Sequence, residues 1–221
     1  MATGRSMEGE ASLPFNRYLT EGYFKSFQWM SYRAQVEAVV NLAAKNIKPV
    51  SILEIGVGNG VVSSILRNFG YKLTTVDINR NLKPDIVGSV TELATIFKEQ
   101  KFDIILCAEV LEHLPYKHFE NCLESFSRLA DWTVLTLPRS GRYLLLLNGF
   151  LKNNWPIDIN IRIPAKSIEP EHHWEIDISL MTSKASLKRL MSKYFSVEKQ
   201  HRVWGQHKHI LFVLKSLRQL S

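Results

Sequence analysis

The chain has 221 residues, of which 45% are hydrophobic and 22% are charged, and its formal net charge is +7. Such a composition is globular, which excludes a disordered or fibrous protein, and the length suits one domain of ordinary size. Two cysteines are too few for a disulfide framework, and no apolar run approaches the roughly 20 residues that span a bilayer.

The N-terminal residues carry no sign of a secretory signal, because Glu8 and Glu10 stand where its apolar region would begin. Both cysteines lie inside apolar stretches, which fits a reducing compartment. We therefore expect a cytoplasmic protein with an N-terminal extension over residues 1–30 and a single domain over residues 31–221.

Helical and strand patterns alternate through the first two thirds of the chain. The first helix is predicted over Ser31–Asn46, where apolar residues recur at helical spacing. Apolar strands are predicted at Val50–Ile55, Lys72–Val76, Asp85–Val87, Phe102–Cys107 and Thr133–Leu137. The helical patterns between them run to about Asn68, over Thr91–Phe97 and through Phe119–Phe126. Such alternation predicts a mostly parallel sheet with helices on both faces.

The last quarter of the chain indicates one helix and a hairpin. Ser183 can cap a helix whose apolar face ends near Tyr194. The strands Phe195–Val203 and His209–Lys215 follow, and the link between them is too short for a crossover, so this pair must be antiparallel. The expected fold class is therefore α/β, with a Rossmann-like, mostly parallel sheet closed by a C-terminal antiparallel hairpin.

An insertion over about residues 139–180 fits neither pattern. It holds the apolar run Tyr143–Leu147 and three prolines, and it follows the carboxyl end of a strand. Lids and substrate-binding segments often occupy such long connections. We expect the insertion to be a lid, with a homodimer interface or a membrane-surface contact through residues 142–152 as the alternatives.

The strongest chemical signal is the turn after the first predicted strand. Its glycines, Gly56, Gly58 and Gly60, allow a tight backbone turn and a close ligand approach. Asp77 ends the second strand about twenty residues later, where a carboxylate can bind both hydroxyls of a ribose. Sites for NAD and for S-adenosylmethionine (SAM) share these features.

Two residues distinguish the two cofactors. A dinucleotide site places a third glycine where this chain has Val61. Glu54, inside the strand, would oppose a pyrophosphate but suits the ammonium group of a methionine moiety. Because SAM carries that ammonium and no phosphate, these residues favour SAM as the cofactor.

Four segments resemble class I SAM-dependent methyltransferases, especially the type 11 and ubiquinone-biosynthesis-like subgroup. They are the glycine-rich first motif Ile52–Gly60, the second motif Val76-Asp77, the segment Cys107–Pro115 after the fourth strand, and His172-His173-Trp174 before the final hairpin. The resemblance covers about residues 50–215.

The resemblance implies a role for each matching residue. Glu54, the three glycines and Asn59 would hold the methionine end of SAM. Asp77 would hold the ribose, and Ile78 would pack on the adenine. The other cofactor residues implied in this way are Ser89, Val90, Cys107 and Glu109. Ser89 stands where relatives usually carry an aspartate, so its hydrogen bond to adenine would be weaker than theirs.

Methyl transfer is an in-line displacement that needs an aligned acceptor and, for a hydroxyl acceptor, a general base. The candidate bases are His113, His172 and His173. No metal is expected, because no third ligand stands at a recognisable spacing from the histidine pair.

We therefore predict a SAM-dependent methyltransferase that acts on a hydroxyl or amine of a small-molecule or glycan-like acceptor. An NAD-dependent oxidoreductase, a basic RNA methyltransferase and an inactive SAM-fold binding protein are the alternatives. Met181–Ser221 holds nine basic residues against Glu198 alone. This charge could contact nucleic acid, although a solvated face is the simpler interpretation.

Overall fold

The structure, a computed structural model, describes residues 11–16, 26–45, 50–98, 100–150, 156–164 and 168–218. The helices are α1 (Ser26–Ala43), α2 (Val61–Asn68), α3 (Leu93–Phe97), α4 (Phe119–Leu129) and α5 (Lys184–Met191). The strands are β1 (Ser51–Ile55), β2 (Lys72–Asp77), β3 (Ile86–Val87), β4 (Phe102–Ala108), β5 (Ala130–Pro138), β6 (Arg142–Phe150), β7 (Pro156–Ile163), β8 (Phe195–Val203) and β9 (Gln206–Ser216).

Seven strands form the main sheet in the order β3-β2-β1-β4-β5-β9-β8. The neighbours among β1 to β5 run parallel, whereas β9 lies antiparallel between β5 and β8. The predicted fold class is therefore confirmed. From β1 the chain adds strands first on one side of the sheet, β2 and β3, and then on the other, β4 and β5. The connections after β1 and β4 therefore leave in opposite directions, and a crevice opens at the carboxyl ends of these two strands, where open α/β sheets bind ligands.

Helices cover both faces of the main sheet. On one face, α1 and α2 pack on alternate β4 residues such as Ile104. On the other face, α3, α4 and α5 pack on Ile105 and Cys107, together with Trp174 from the connection before α5. Successive strand residues point to opposite faces, so the apolar stretch of β4 from Ile104 to Ala108 contributes to both cores.

The predicted boundaries differ from the observed ones by a few residues. α1 begins at Ser26, so residues 26–30, expected in the extension, belong to this helix. Its predicted end at Asn46 lies outside the described residues. β5 begins at Ala130, directly after the end of α4, and not at Thr133 as predicted. Ser183 caps α5 as predicted, by accepting a hydrogen bond from the backbone N–H of Ser186.

The insertion contains a hairpin that the sequence analysis did not predict. β6 and β7 pair antiparallel as a separate two-stranded sheet. Isoleucines at every second position of β7 carry the period of a strand, and Pro156 stands at the strand's first residue, where proline is tolerated. Because the side chains of residues 145–158 are outside the described part, the contact expected through residues 142–152 stays a prediction. None of the described helices combines the length and the apolar character that a bilayer crossing requires.

Candidate active site

A cavity of about 610 Å³ lies at the carboxyl ends of β1, β2 and β4, within the usual size range of ligand sites. Its walls fall into two parts. The glycine half consists of Glu54–Asn59, Asp77–Asn79 and Ser89–Val90. The histidine half consists of Glu109, Glu112, His113, Glu169, Glu171, His172 and His209.

The turn after β1 shapes the glycine half. Gly56 has a φ of +82°, and a Cβ there would lie 2.4 Å from Cγ2 of Val110. Gly58 has a φ of +54°, but a Cβ there would meet no atom of the described residues within 4 Å. Gly56 is therefore required by packing, whereas Gly58 leaves its space to a ligand.

Asp77 ties this turn to the end of β2. Its Oδ2 accepts a hydrogen bond of 2.7 Å from the backbone N–H of Val57, and its Oδ1 accepts one of 2.7 Å from that of Asn79. Burial raises the pKa of this carboxyl, although the backbone donors oppose the shift. Asp77 lines the cavity at the end of β2, and its predicted contact with a ribose stays a prediction.

Glu54 lies at the bottom of the glycine half and is 4% exposed. The hydroxyl of Ser63 donates to its Oε2. Burial raises the pKa of this carboxyl to about 7. A buried carboxyl of this kind gains from an ammonium ligand, because the positive charge offsets its desolvation.

The roof of the glycine half comes from residues that the sequence analysis missed. Leu13, in the N-terminal extension, accepts hydrogen bonds of 2.9 Å from Asn79 and 3.1 Å from Asn81 through its carbonyl. Tyr32 on α1 accepts one of 2.9 Å from Asn59 through its hydroxyl. Polar residues at Gln28, Tyr32 and Gln35 repeat at helical spacing and all line the cavity, which is the signal that could have placed α1 at the site.

Glu109 begins the histidine half in a left-handed conformation, with a φ of +55°. Such a conformation costs free energy in a residue that has a Cβ and is typical of functional sites. Its Oε2 lies 3.1 Å from Nε2 of His209, whose Nδ1 lies 3.2 Å from Oγ of Ser31. Burial lowers the pKa of His209, and the negative charge of Glu109 opposes the shift.

His113 and His172 make an edge-to-face contact in the histidine half, with ring centroids 5.0 Å apart and ring planes at 82°. Nδ1 of His172 lies 2.9 Å from Oε1 of Glu175, and Nδ1 of His113 lies 3.2 Å from the carbonyl oxygen of Glu171. Both partners accept hydrogen bonds. They therefore favour the tautomer that carries the proton on Nδ1 and the lone pair on Nε2.

Glu112 is fully buried between these histidines and Glu109. Within the described part of the chain, neither of its carboxyl oxygens has a hydrogen-bond partner of accepted geometry. Burial, followed by the negative charge of Glu109, raises the pKa of Glu112 well above its ordinary value. Glu112 was not among the predicted site residues, although it stands one helical turn after Glu109 in the sequence.

Most of the predicted site residues line the cavity, but three do not. Cys107 is fully buried in the core beneath α4, because strand alternation turns it away from the cavity, which Ala108 lines instead. Gly60 caps the start of α2. His173 has an exposed side chain, and only its backbone N–H, which donates to the carbonyl of Glu112, reaches this region. Cys107 as a pocket residue and His173 as a base are corrected accordingly.

Ser89 and Val90 line the glycine half as predicted. The hydroxyl of Ser89 accepts a hydrogen bond of 3.2 Å from the backbone N–H of Thr91 and so caps a short 3-10 turn. An adenine contact through Ser89 would share this hydroxyl with the cap and stays a prediction.

The expectation that the protein binds no metal stays a prediction, but the structure brings together a possible ligand set that sequence spacing did not indicate. Glu112, His113 and His172 each offer a ligand atom, and these atoms lie within 4.8 Å of one another. Sequence spacing concealed the group, because Glu112 and His172 are 60 positions apart.

The basic residues of the C-terminal part are partly neutralised by acidic residues from earlier in the chain. The pairs are Lys193 with Glu120, Lys208 with Glu169 and Arg218 with Glu124. These contacts support the interpretation of a solvated face, while binding of nucleic acid stays an open alternative.

The sheet order, the glycine turn and the carboxylate at the end of β2 together define a class I methyltransferase fold. A family model described as a methyltransferase domain matches residues 28–194, and the chain belongs to this family. The predicted methyltransferase class is thereby confirmed, and the oxidoreductase alternative is set aside.

One curated relative is the ubiquinone biosynthesis O-methyltransferase of Glaesserella parasuis, 25% identical over 132 residues, which cover 51% of this chain and 56% of the relative. The match thus spans little more than half the length of that enzyme.

Two solved structures share the fold. The N-methyltransferase NodS of Bradyrhizobium japonicum, in complex with S-adenosylhomocysteine, has a TM-score of 0.59 at 13% identity and covers 99% of this chain and 100% of that one. The magnesium protoporphyrin IX methyltransferase of Synechocystis, with bound SAM, has a TM-score of 0.58 at 14% identity and covers 91% and 89%. At such identities they show the fold alone.

Proposed function

We propose that this chain transfers the methyl group of SAM to a hydroxyl group of a small-molecule acceptor. The observation that carries the proposal is the histidine half, where imidazoles and carboxylates line the cavity directly beside the cofactor residues. A hydroxyl acceptor must lose a proton during transfer, and these are the groups that can remove it.

The glycine half fits SAM through three features. Glu54 matches the ammonium of the methionine moiety, the space at Gly58 admits its backbone, and Asp77 matches the ribose hydroxyls. SAM, when bound, supplies a methyl group already activated by a sulfonium. The protein then has to align the acceptor oxygen, so that the new O–C bond forms as the S–C bond breaks.

His172 is the best placed of the predicted bases. Glu175 holds its Nδ1 and is itself fixed, since its Oε1 also accepts a hydrogen bond of 3.0 Å from the backbone N–H of Glu169. The lone pair on Nε2 is therefore oriented by a buried carboxylate, and the acceptor proton would leave toward this atom. The name of the Glaesserella parasuis relative, an O-methyltransferase, supports oxygen as the acceptor atom.

The test uses SAM labelled on its methyl group and pairs of small aromatic acceptors that differ only in carrying a hydroxyl or an amine. We expect the label on the hydroxyl compounds. His172→Gln should lower kcat at least about 100-fold, the usual minimum for a general base, with SAM affinity unchanged. His173→Gln is the matched control and should behave as the wild type. Label on the amines alone, or an unaffected His172→Gln enzyme, would contradict the proposal.

A further inference from the structure

We propose that Glu112, His113 and His172 form a binding site for a divalent first-row transition-metal ion in the histidine half of the cavity. Binding of the ion stands on the geometry alone, whereas its part in methyl transfer rests on the proposed function.

The first observation is the proximity of the ligand atoms. One atom from each of the three side chains lies within 4.8 Å of the other two. A single ion at bond lengths of about 2.0–2.2 Å can bridge atoms at such separations with small side-chain rotations. Two imidazole nitrogens and a carboxylate oxygen are ligands that Zn²⁺, Mn²⁺ and Fe²⁺ accept, whereas Mg²⁺ prefers oxygen ligands alone.

The second observation is the state of Glu112. Its side chain is fully buried, lines the cavity, and has no hydrogen-bond partner of accepted geometry for either oxygen among the described residues. Oε1 of Glu109, close by, is likewise buried without such a partner in the described part. Carboxylates buried in this way are costly unless a cation or a shared proton compensates them.

The third observation is the orientation of the two imidazoles. Each ring has its Nδ1 next to an acceptor, the Glu175 carboxylate for His172 and the Glu171 carbonyl for His113. Metal-binding histidines typically donate their second ring N–H to just such a carboxylate or carbonyl, which directs the other nitrogen at the ion. The structure thus supplies the ligands together with the groups that orient them.

A cation at this position would lie at the wall of the cavity and could bind the acceptor oxygen directly. Coordination lowers the pKa of a bound hydroxyl, so the acceptor would pass its proton to the carboxylate of Glu109, which lines the same half of the cavity, or to water. With the ion bound, His172 would serve as a ligand, and it would act as the base only in the metal-free protein.

Binding is tested without any acceptor. The full chain, treated with a chelator and dialysed, is titrated with Mn²⁺ by electron paramagnetic resonance and with Zn²⁺ by calorimetry. We expect one ion per chain. Glu112→Gln and His172→Gln should each weaken binding at least about 100-fold, and Glu175→Gln about 10–100-fold, the usual effect of removing an orienting partner. His173→Gln, adjacent in sequence but exposed, should bind as the wild type.

Calorimetric SAM titration of each variant shows that it is folded, because SAM contacts the glycine half. Absence of saturable binding in the wild type, or equal binding in all variants, overturns the metal site and leaves Glu109 and Glu112 as a pair that shares a proton. Metal binding without transfer to hydroxyls would refute only the proposed function. Transfer that persists undiminished in excess chelator, with no ion bound, would refute only the part of the ion in methyl transfer.

Discussion

The two halves of the cavity are built in opposite ways. In the glycine half, the walls below the roof come from residues 54–90, and one carboxylate, Asp77, ties the turn after β1 to the end of β2 through hydrogen bonds to both of its oxygens. In the histidine half, side chains from the loop after β4, the connection before α5 and strand β9 converge, and Glu112 keeps two oxygens without such partners in the described part. Walls formed by one continuous part of the chain suit a cofactor that is the same in every reaction of this kind. Walls formed by side chains from distant segments can be specialised for one acceptor.

The largest effect that would probe this difference is expected at Gly56. Gly56→Ala forces a left-handed conformation on a residue with a Cβ and places that Cβ 2.4 Å from Val110. Strain and overpacking together should lower the free energy of unfolding by about 2–5 kcal/mol and abolish SAM binding. Urea denaturation and SAM calorimetry measure both.

Gly58→Ala is the control for that result. Its Cβ meets no described atom within 4 Å, so only the conformational cost of about 1–2 kcal/mol applies to stability, while SAM affinity falls because the methyl group projects into the cavity. Equal stability losses in the two variants would refute the distinction between packing and ligand space.

A smaller effect, of about 1.5–3 kcal/mol in SAM binding, is expected for Glu54→Gln, because a hydrogen bond to a charged group is lost. The wild-type pKa near 7 adds a pH dependence, since only ionised Glu54 pairs with the ammonium. SAM binding at about pH 6 should therefore release a proton. Calorimetry in buffers of different ionisation enthalpy detects it, and the release should vanish in Glu54→Gln.

The same pKa sets a trend in the stability of the cofactor-free protein. Since the folded pKa of Glu54 is raised above its ordinary value of 4.5, its contribution is fully present below about pH 4.5 and is lost as the pH rises through 7. The Glu54→Gln variant should lack this decline. Identical pH profiles of the unfolding free energy in the two proteins would show that Glu54 is not desolvated as the structure indicates.

The smallest effect is expected at the roof of the glycine half. Asn81→Ala removes one of the two hydrogen bonds to the carbonyl of Leu13 and leaves the one from Asn79. An exposed hydrogen bond contributes about 0.5–1.5 kcal/mol, so SAM should dissociate a few times faster with little change in stability. Stopped-flow fluorescence measures the rate, and an unchanged rate would show that residues 11–16 do not retain the cofactor.

The glycine half could be predicted because its signals are local. Gly56, Gly58 and Asp77 follow strands that their own sequence indicates, and parallel pairing alone brings them together. The histidine half could not be assembled in this way. His209 reaches Glu109 only because β9 pairs with β5 in a register that places it opposite Pro138, and no spacing rule relates positions one hundred residues apart. The prediction that Cys107 lines the cavity was wrong for a simpler reason. Neighbouring strand residues point in opposite directions, so Ala108 lines the cavity and Cys107 lies in the core.

The position of β9 also affects the order in which parts of the protein can fold during synthesis. β9 is the last described strand to leave the ribosome, yet it occupies an interior place between β5 and β8. Until it arrives, β5 presents an open edge, which is a template for wrong pairing, and Glu109 lacks His209. A nascent chain can thus complete its glycine turn early, but it cannot finish the histidine half before the sheet itself is closed.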